Sequence, residues 1–189
     1  RHGSLAGAIF VLGVLILVVG GSFAAYTNFQ SVKRVVSTGT QSDTMFGSNY
    51  LSLISLTDEN PPVKRISLAE SDNYYSITVI VCNYVWGDET LYNPKNITYT
   101  VSAVLTATDG GENLPDGITE ITMNSTKFDA DGTCTLKDQK LAAGKAEKNS
   151  YSFQIPKALK DKIKIQITAE PDSSSADAVN SQNLAAVLS

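Results

Sequence analysis

Few residues in this chain have the type or spacing for chemistry. His2 is the only histidine, and it precedes a long apolar run. Ser–His–Asp and Cys–His nucleophile sets need an imidazole within hydrogen-bond reach of the nucleophile, and the polar part of the chain has none. Cys82 and Cys134 lie 52 residues apart with no CxxC motif, too few donors for a zinc site. In an oxidising compartment they fit one disulfide, and in a reducing one they fit as two small core residues. The acid pairs Asp58-Glu59, Asp88-Glu89 and Asp129/Asp131 fall in turn-like sequence, where carboxylates usually cap the backbone. Asp129-Ala-Asp131-Gly132 has the opening of a calcium loop but lacks the later Asp and the closing Glu. These residues predict no enzyme, no metal and no cofactor. Two sequons, Asn96-Ile-Thr98 and Asn124-Ser-Thr126, are glycosylation candidates if a glycosylating cell exports the chain, with Asn124 better placed near a turn.

The elements that would position any such group divide sharply. From His2 to Val32 there is no charged side chain, and Leu5 to Phe23 reads LAGAIFVLGVLILVVGGSF. As a helix, Leu5 to Tyr26 would span roughly 33 Å, about one bilayer core. Phe23, Tyr26, Phe29, Val32 and Val36 continue a helical stripe, and Ser37 to Asp43 is polar and ends it. Gly3-Ser-Leu-Ala-Gly7 is a small-xxx-small pattern, with more small positions at Gly13, Gly20 and Gly21. Glycine costs about 1 kcal/mol against alanine inside a helix, and close helix–helix approach offsets part of that. Plain anchoring in a membrane is the alternative, as is a cleaved secretory signal cut near Ala24-Ala25-Tyr26. The packing core expected of this segment is Gly3, Leu5, Gly7, Ile9, Phe10, Leu12, Val14, Leu15, Ile16, Val18 and Val19.

All 19 acids lie at or after Asp43, and only Arg1, Lys33 and Arg34 of the 15 bases precede it. The remainder therefore holds 12 bases and 19 acids, net −7. That sign argues against a nucleic-acid partner, which needs a basic face. Residues 43–132 hold 13 acids and 4 bases, and residues 133–164 hold 3 acids and 8 lysines. Such opposite patches could guide neighbouring copies together, or simply be solvated.

After residue 48 the sequence has strand character. Tyr50–Leu56, Val63–Leu68, Tyr74–Trp86, Ile97–Thr108, Ile118–Met123, Thr133–Leu136, Tyr151–Ile155 and Ile163–Ala169 are β-rich runs. Turn clusters such as Asn93-Pro94 and Asp109-Gly-Gly111 separate them. About eight strands in an antiparallel sandwich or barrel fit. Trp86 follows Cys82 too closely for the immunoglobulin core pattern. The expected fold is a long N-terminal apolar α-helix followed by an all-β antiparallel sandwich head. Its divisions are 1–38 hydrophobic helix, 39–48 linker, 49–170 head, and 171–189 a tail or last short element.

Arg1-His-Gly-Ser-Leu-Ala-Gly-Ala-Ile-Phe10 and the apolar run behind it resemble the start of the type IV pilin superfamily. Arg1 and Gly3 look like the basic and small residues before a prepilin cut. The glutamate usual at the fifth mature position of bacterial pilins is missing, since no acid precedes Asp43. The resemblance is therefore to the archaeal branch, adhesion pilins and archaellins. It implies a structural subunit of an extracellular helical filament, adhesion favoured over motility. It implies identical subunits as partners, the membrane before assembly, a prepilin peptidase and an assembly platform. The alternative is a permanently membrane-anchored surface binding or stator module.

Overall fold

The computed structural model describes residues 44–55, 60–111 and 113–189. Long runs of β-branched and aromatic residues in strict alternation dictate its architecture. In Ile97–Ala107, residues 97, 99, 101, 103 and 105 are buried while their neighbours are not, the period-2 signature of a strand with one face inward. Tyr74–Cys82, Lys148–Pro156 and Ile163–Pro171 alternate in the same way.

Two six-stranded sheets result. The first holds β1 (Gly47–Ser48), β4 (Ala69–Glu70), β5 (Tyr74–Cys82), β9 (Thr122–Met123), β10 (Thr126–Lys127) and β12 (Lys148–Pro156). The second holds β2 (Ser52–Ser55), β3 (Val63–Lys64), β8 (Ile97–Ala107), β11 (Thr133–Leu141), β13 (Ile163–Pro171) and β14 (Gln182–Leu188). A separate hairpin pairs β6 (Tyr84–Val85) with β7 (Asp88–Tyr92). Pairing is antiparallel except for β14 with β3. The long ladders are β5 with β12, which aligns Phe153 with Ile77, and β8 with β13, which aligns Ile167 with Ala103.

The inward faces of both sheets share one core. It includes Ile77, Val79 and Val81 of β5 and Tyr151, Phe153 and Ile155 of β12. Opposite them lie Tyr99 and Val101 of β8, Ile165 and Ile167 of β13, and Leu184, Ala186 and Leu188 of β14. A polar chain crosses this core. Asn149 Nδ2 donates to the Tyr99 hydroxyl (2.9 Å), Tyr99 stands 2.8 Å from the Tyr151 hydroxyl, and Tyr151 donates to Gln139 Oε1 (3.3 Å). Each phenol is thus satisfied in the apolar interior, which burial otherwise penalises. The same burial pushes both phenols above the ordinary tyrosine range.

The fold expected from sequence needs correction. The described residues are mostly antiparallel sheet, and none of their helices is long and apolar enough to cross a membrane. Their helical elements are short 3-10 turns at Ile118–Glu120, Lys157–Leu159 and Ser173–Val179. The apolar segment on which the long helix was expected lies outside the described residues. So do its packing positions, Gly3, Leu5, Gly7, Ile9, Phe10, Leu12, Val14, Leu15, Ile16, Val18 and Val19.

Strand boundaries also differ. Tyr74–Trp86 is not one strand, because Asn83 interrupts it between β5 and β6. Ile118–Met123 is a 3-10 turn followed by the two-residue β9. The residues from 171 onward contribute β14, which lies between β13 and β2 inside the second sheet. Thr44, Phe46 and Ser48, from the stretch read as a linker, are buried.

Candidate functional site

The sandwich has two poles, and each presents a distinct surface. At the proximal pole the described chain begins. Asn180 Nδ2 donates to Thr44 Oγ1 (3.0 Å), and Thr44 Oγ1 donates to Gln182 Oε1 (2.9 Å). Phe46 meets Tyr99 edge to face, centroids 5.7 Å apart, an arrangement aromatic quadrupoles favour. A Cβ at Gly47 would lie 2.5 Å from the Tyr84 carbonyl oxygen and 3.0 Å from the Trp86 nitrogen. Only glycine allows β1 to run this close to the β6–β7 hairpin. Beyond β1, Asn49 completes the ladder with its side chain. Its Nδ2 donates to Thr78 O (2.9 Å), and Ile80 N donates to its Oδ1 (2.8 Å).

Two buried asparagines root the hairpin. Asn83 Nδ2 donates to Ala142 O (2.8 Å) and Lys145 O (2.9 Å), and Glu147 N donates to Asn83 Oδ1 (2.7 Å). Its backbone N donates to Glu147 O, and its carbonyl accepts from Asn93 N (2.7 Å). Asn93 Nδ2 in turn donates to Ala178 O (2.6 Å), and Lys95 N donates to Asn93 Oδ1 (2.9 Å). Both legs of the hairpin are therefore fixed by satisfied polar contacts in a buried setting. Tyr84 is buried, and its phenol is pushed up to about 12, first by burial and then by the nearby Cys82 and Glu89. Its hydroxyl donates to Glu89 Oε1 (3.3 Å).

At the distal pole a cavity of about 460 Å³ opens between the sheets. Ile66, Leu68, Tyr75, Ile155, Leu159, Ile163, Ile165 and Leu188 form its apolar walls. Lys160 Nζ stands 4.8 Å from the Tyr75 ring centroid, and Lys157 Nζ 5.8 Å. Lys157 also pairs with Glu70 at 2.6 Å and holds that carboxyl below its ordinary value. The arrangement can hold an apolar group beneath a cationic rim.

Asp129 accepts from Thr133 Oγ1 (2.7 Å), Thr133 N (2.8 Å) and Asp131 N (3.1 Å), and these bonds hold its carboxyl below its ordinary value. Its oxygens thus organise a turn. Among the described residues no group of three or more His, Cys, Asp or Glu side chains is placed to hold a metal.

The expected disulfide is not formed. Cys82 and Cys134 are both free and buried. Cys82 ends β5, where its Sγ contacts the Tyr84 carbonyl at 3.3 Å, and Cys134 pairs with Ala103 of β8 in the other sheet. Asn149, the partner of Val81, reaches Tyr99, which fixes the level of Cys82 along β8. Tyr99 and Ala103 are separated by about 13 Å of strand, beyond the Cα reach of a disulfide. Burial raises both thiols. Alkylation of unreduced, denatured protein should therefore add two labels by intact mass. A mass with none would restore the bridge.

Both sequon asparagines are exposed. Asn96 Oδ1 accepts from Ala143 N (2.7 Å). Asn124 and Ser125, with φ of 50° and 68°, form the two-residue turn of the β9–β10 hairpin. Asn124 Nδ2 is already engaged with Ser150 O (3.0 Å), and its Oδ1 accepts from Ser152 N (2.8 Å).

Sequence reasoning missed Asn83 and the hairpin, and read Asn93 only as part of a turn. The signal was present: a lone Asn inside a β-branched run, and Gly87-Asp88 four residues later. No family model, no curated protein and no solved structure matches this chain.

Proposed function

We propose that this chain is a structural subunit of an extracellular, type IV-like helical filament, adhesive rather than motile. The subunit polymerises with identical copies through its apolar N-terminal segment and resides in a membrane before assembly. The observation that carries this reading is the charge-free sequence from His2 to Val32 joined to a compact polar head. So long an apolar run has no place on a water-exposed surface and must be covered by lipid or by protein. Supporting it, the head's first residues, Thr44 to Gly47, are tied into both sheets, so force on the segment passes directly into the sandwich. An adhesive contact suits the distal pole, which lies at the far end of the strands from Thr44 and carries the lysine-rimmed cavity. By the resemblance, a prepilin peptidase trims the precursor and an assembly platform loads it. Nucleic acid has no role.

The test compares the full chain with one beginning at Thr44. The full chain should give regular fibres in negative-stain images, and the shortened chain a folded monomer. The shortened chain keeps every residue of the head's core. Long filaments from it would overturn the reading, and anchored single copies of the full chain would favour the binding or stator module.

A further inference from the structure

We propose that the cavity at the distal pole binds one single-chain anionic amphiphile, a fatty carboxylate, with its alkyl chain between the sheets and its head group at Lys160. The inference deepens the adhesive reading and rests on it for the use made of the ligand, while the binding itself needs only the head. The lining is divided by polarity. Ile155, Leu159, Ile163, Ile165 and Leu188 are all buried and all aliphatic. The polar residues of the lining, Ser67, Thr108, Lys160, Asp161 and Ser189, are all exposed and therefore stand at the mouth. Ile66 and Leu68, half-buried, add a further apolar wall. They lie two residues apart in the stretch that joins β3 of the second sheet to β4 of the first. A sugar or nucleotide needs polar partners in the depth of its site, and this depth has none. A space of about 460 Å³ with an aliphatic interior and a polar mouth suits a flexible alkyl chain that ends in a polar group.

Charge selects the head group. Lys157 is committed to Glu70 at 2.6 Å. Lys160 stands 4.8 Å from the Tyr75 ring centroid and, among the described residues, has no carboxylate within ion-pair distance. Its ammonium is thus held at the mouth by a ring face rather than by an acid, and it is the cation left for a ligand. Asp161, the one carboxylate of the lining, does not pair with it. That acid weakens the attraction for anions, which favours a head group of single charge over a phosphate. Entry is open as well. Among the described residues, Ile66 N to Ser189 O (3.2 Å) is the backbone bond that holds residues 65–68. A wall held by so few bonds parts at small cost.

The chain beginning at Thr44 is a compact unit that keeps the whole core. Titration calorimetry of it with sodium hexanoate, octanoate, decanoate and dodecanoate therefore reads the site apart from the apolar segment. Each methylene buried should tighten one-to-one binding about fourfold, until the chain outgrows the cavity. Decanol should bind more weakly than decanoate, and decyltrimethylammonium more weakly still. Lys160→Ala should weaken decanoate roughly three- to fivefold, the scale of a solvent-facing charge pair, and leave decanol unchanged. Asp161→Asn should tighten decanoate, at a left-handed position (φ 61°) that asparagine tolerates. Leu68→Trp, at a half-buried position, should fill the cavity and abolish uptake at an unchanged Tm. No saturable binding across the series overturns the site and leaves the filament reading standing, because that reading rests on the apolar segment. Equal binding of decanoate and decyltrimethylammonium overturns the anionic head group. Many molecules taken up per head, with loss of the melting transition, is surfactant denaturation and also overturns the site. Saturable one-to-one binding without fibres from the full chain sustains the site and overturns only its adhesive use.

Discussion

Val14→Asp should abolish fibres while leaving the chain in the membrane fraction. Val14 stands in the middle of the charge-free run, beside Gly13. If copies pack through this segment, the new carboxylate is buried at every subunit. The effective penalty for a buried unpaired charge is still several kcal/mol after relaxation. Like charges on neighbouring copies add repulsion, and no basic residue of the segment lies near enough in sequence to neutralise them. Insertion into lipid is less demanding. Roughly 3 kcal/mol is the penalty for an aspartate at mid-membrane, and the remaining apolar residues offset it. Membrane-fraction protein and surface fibres should be measured in the same cells. Anchored protein without fibres supports self-assembly through this segment. Normal fibres from the variant would mean that position 14 is not in a packed core, and the filament reading would go with it.

The parts of the head that sequence revealed are those with long alternation. β5, β8, β12 and β13 each bury alternate residues through the middle of strands nine to eleven residues long, a pattern that does not fit a helix's period. β14 was obscure for a physical reason. Its Asn183, Ala185 and Ala186 carry little β propensity, and they are held as a strand by partners on both sides, β13 and β2. Tertiary pairing there overrides local preference. Asn83 shows the reverse error. The flanking Tyr, Val, Ile and Cys residues favour a continuous strand, but Asn83 spends its hydrogen bonds on the 142–147 loop and turns the chain. The cysteine pair misled because sequence separation says nothing of the level along the strands at which two residues end, and Cys82 lies level with the Tyr99 end of β8 while Cys134 pairs with Ala103. The apolar N-terminal run suggested a helix ahead of the head, and the described residues contain none long and apolar enough to span a bilayer. Of the proximal pole, Trp86 was visible only as a strand end. It lies three residues after buried Asn83, at the tip of the hairpin that Asn83 begins.

Asn83→Ala should therefore destabilise the head strongly. The side chain is fully buried and satisfies three backbone groups: Ala142 O, Lys145 O and Glu147 N. Each buried group left without a partner costs about 1–3 kcal/mol. Partial rescue by water at the pole's edge brings the sum to about 4 kcal/mol, a large share of the 5–15 kcal/mol typical of a domain. A loss of that size lowers Tm by about 10 °C in a domain of this size. Calorimetry of the chain beginning at Thr44 reads it directly. Lys145→Ala is the control, because Asn83 uses only the backbone of Lys145. That side chain's own pair with Glu147, at 2.8 Å, lies at the solvent-screened surface and adds little to stability. Asn83→Asp tests the direction of the donors. It keeps the acceptor for Glu147 N but turns a carboxylate oxygen toward two carbonyls, and it should match or exceed the alanine loss. A Tm within about 2 °C of the parent for Asn83→Ala would show that the asparagine is a passenger, by the same scaling.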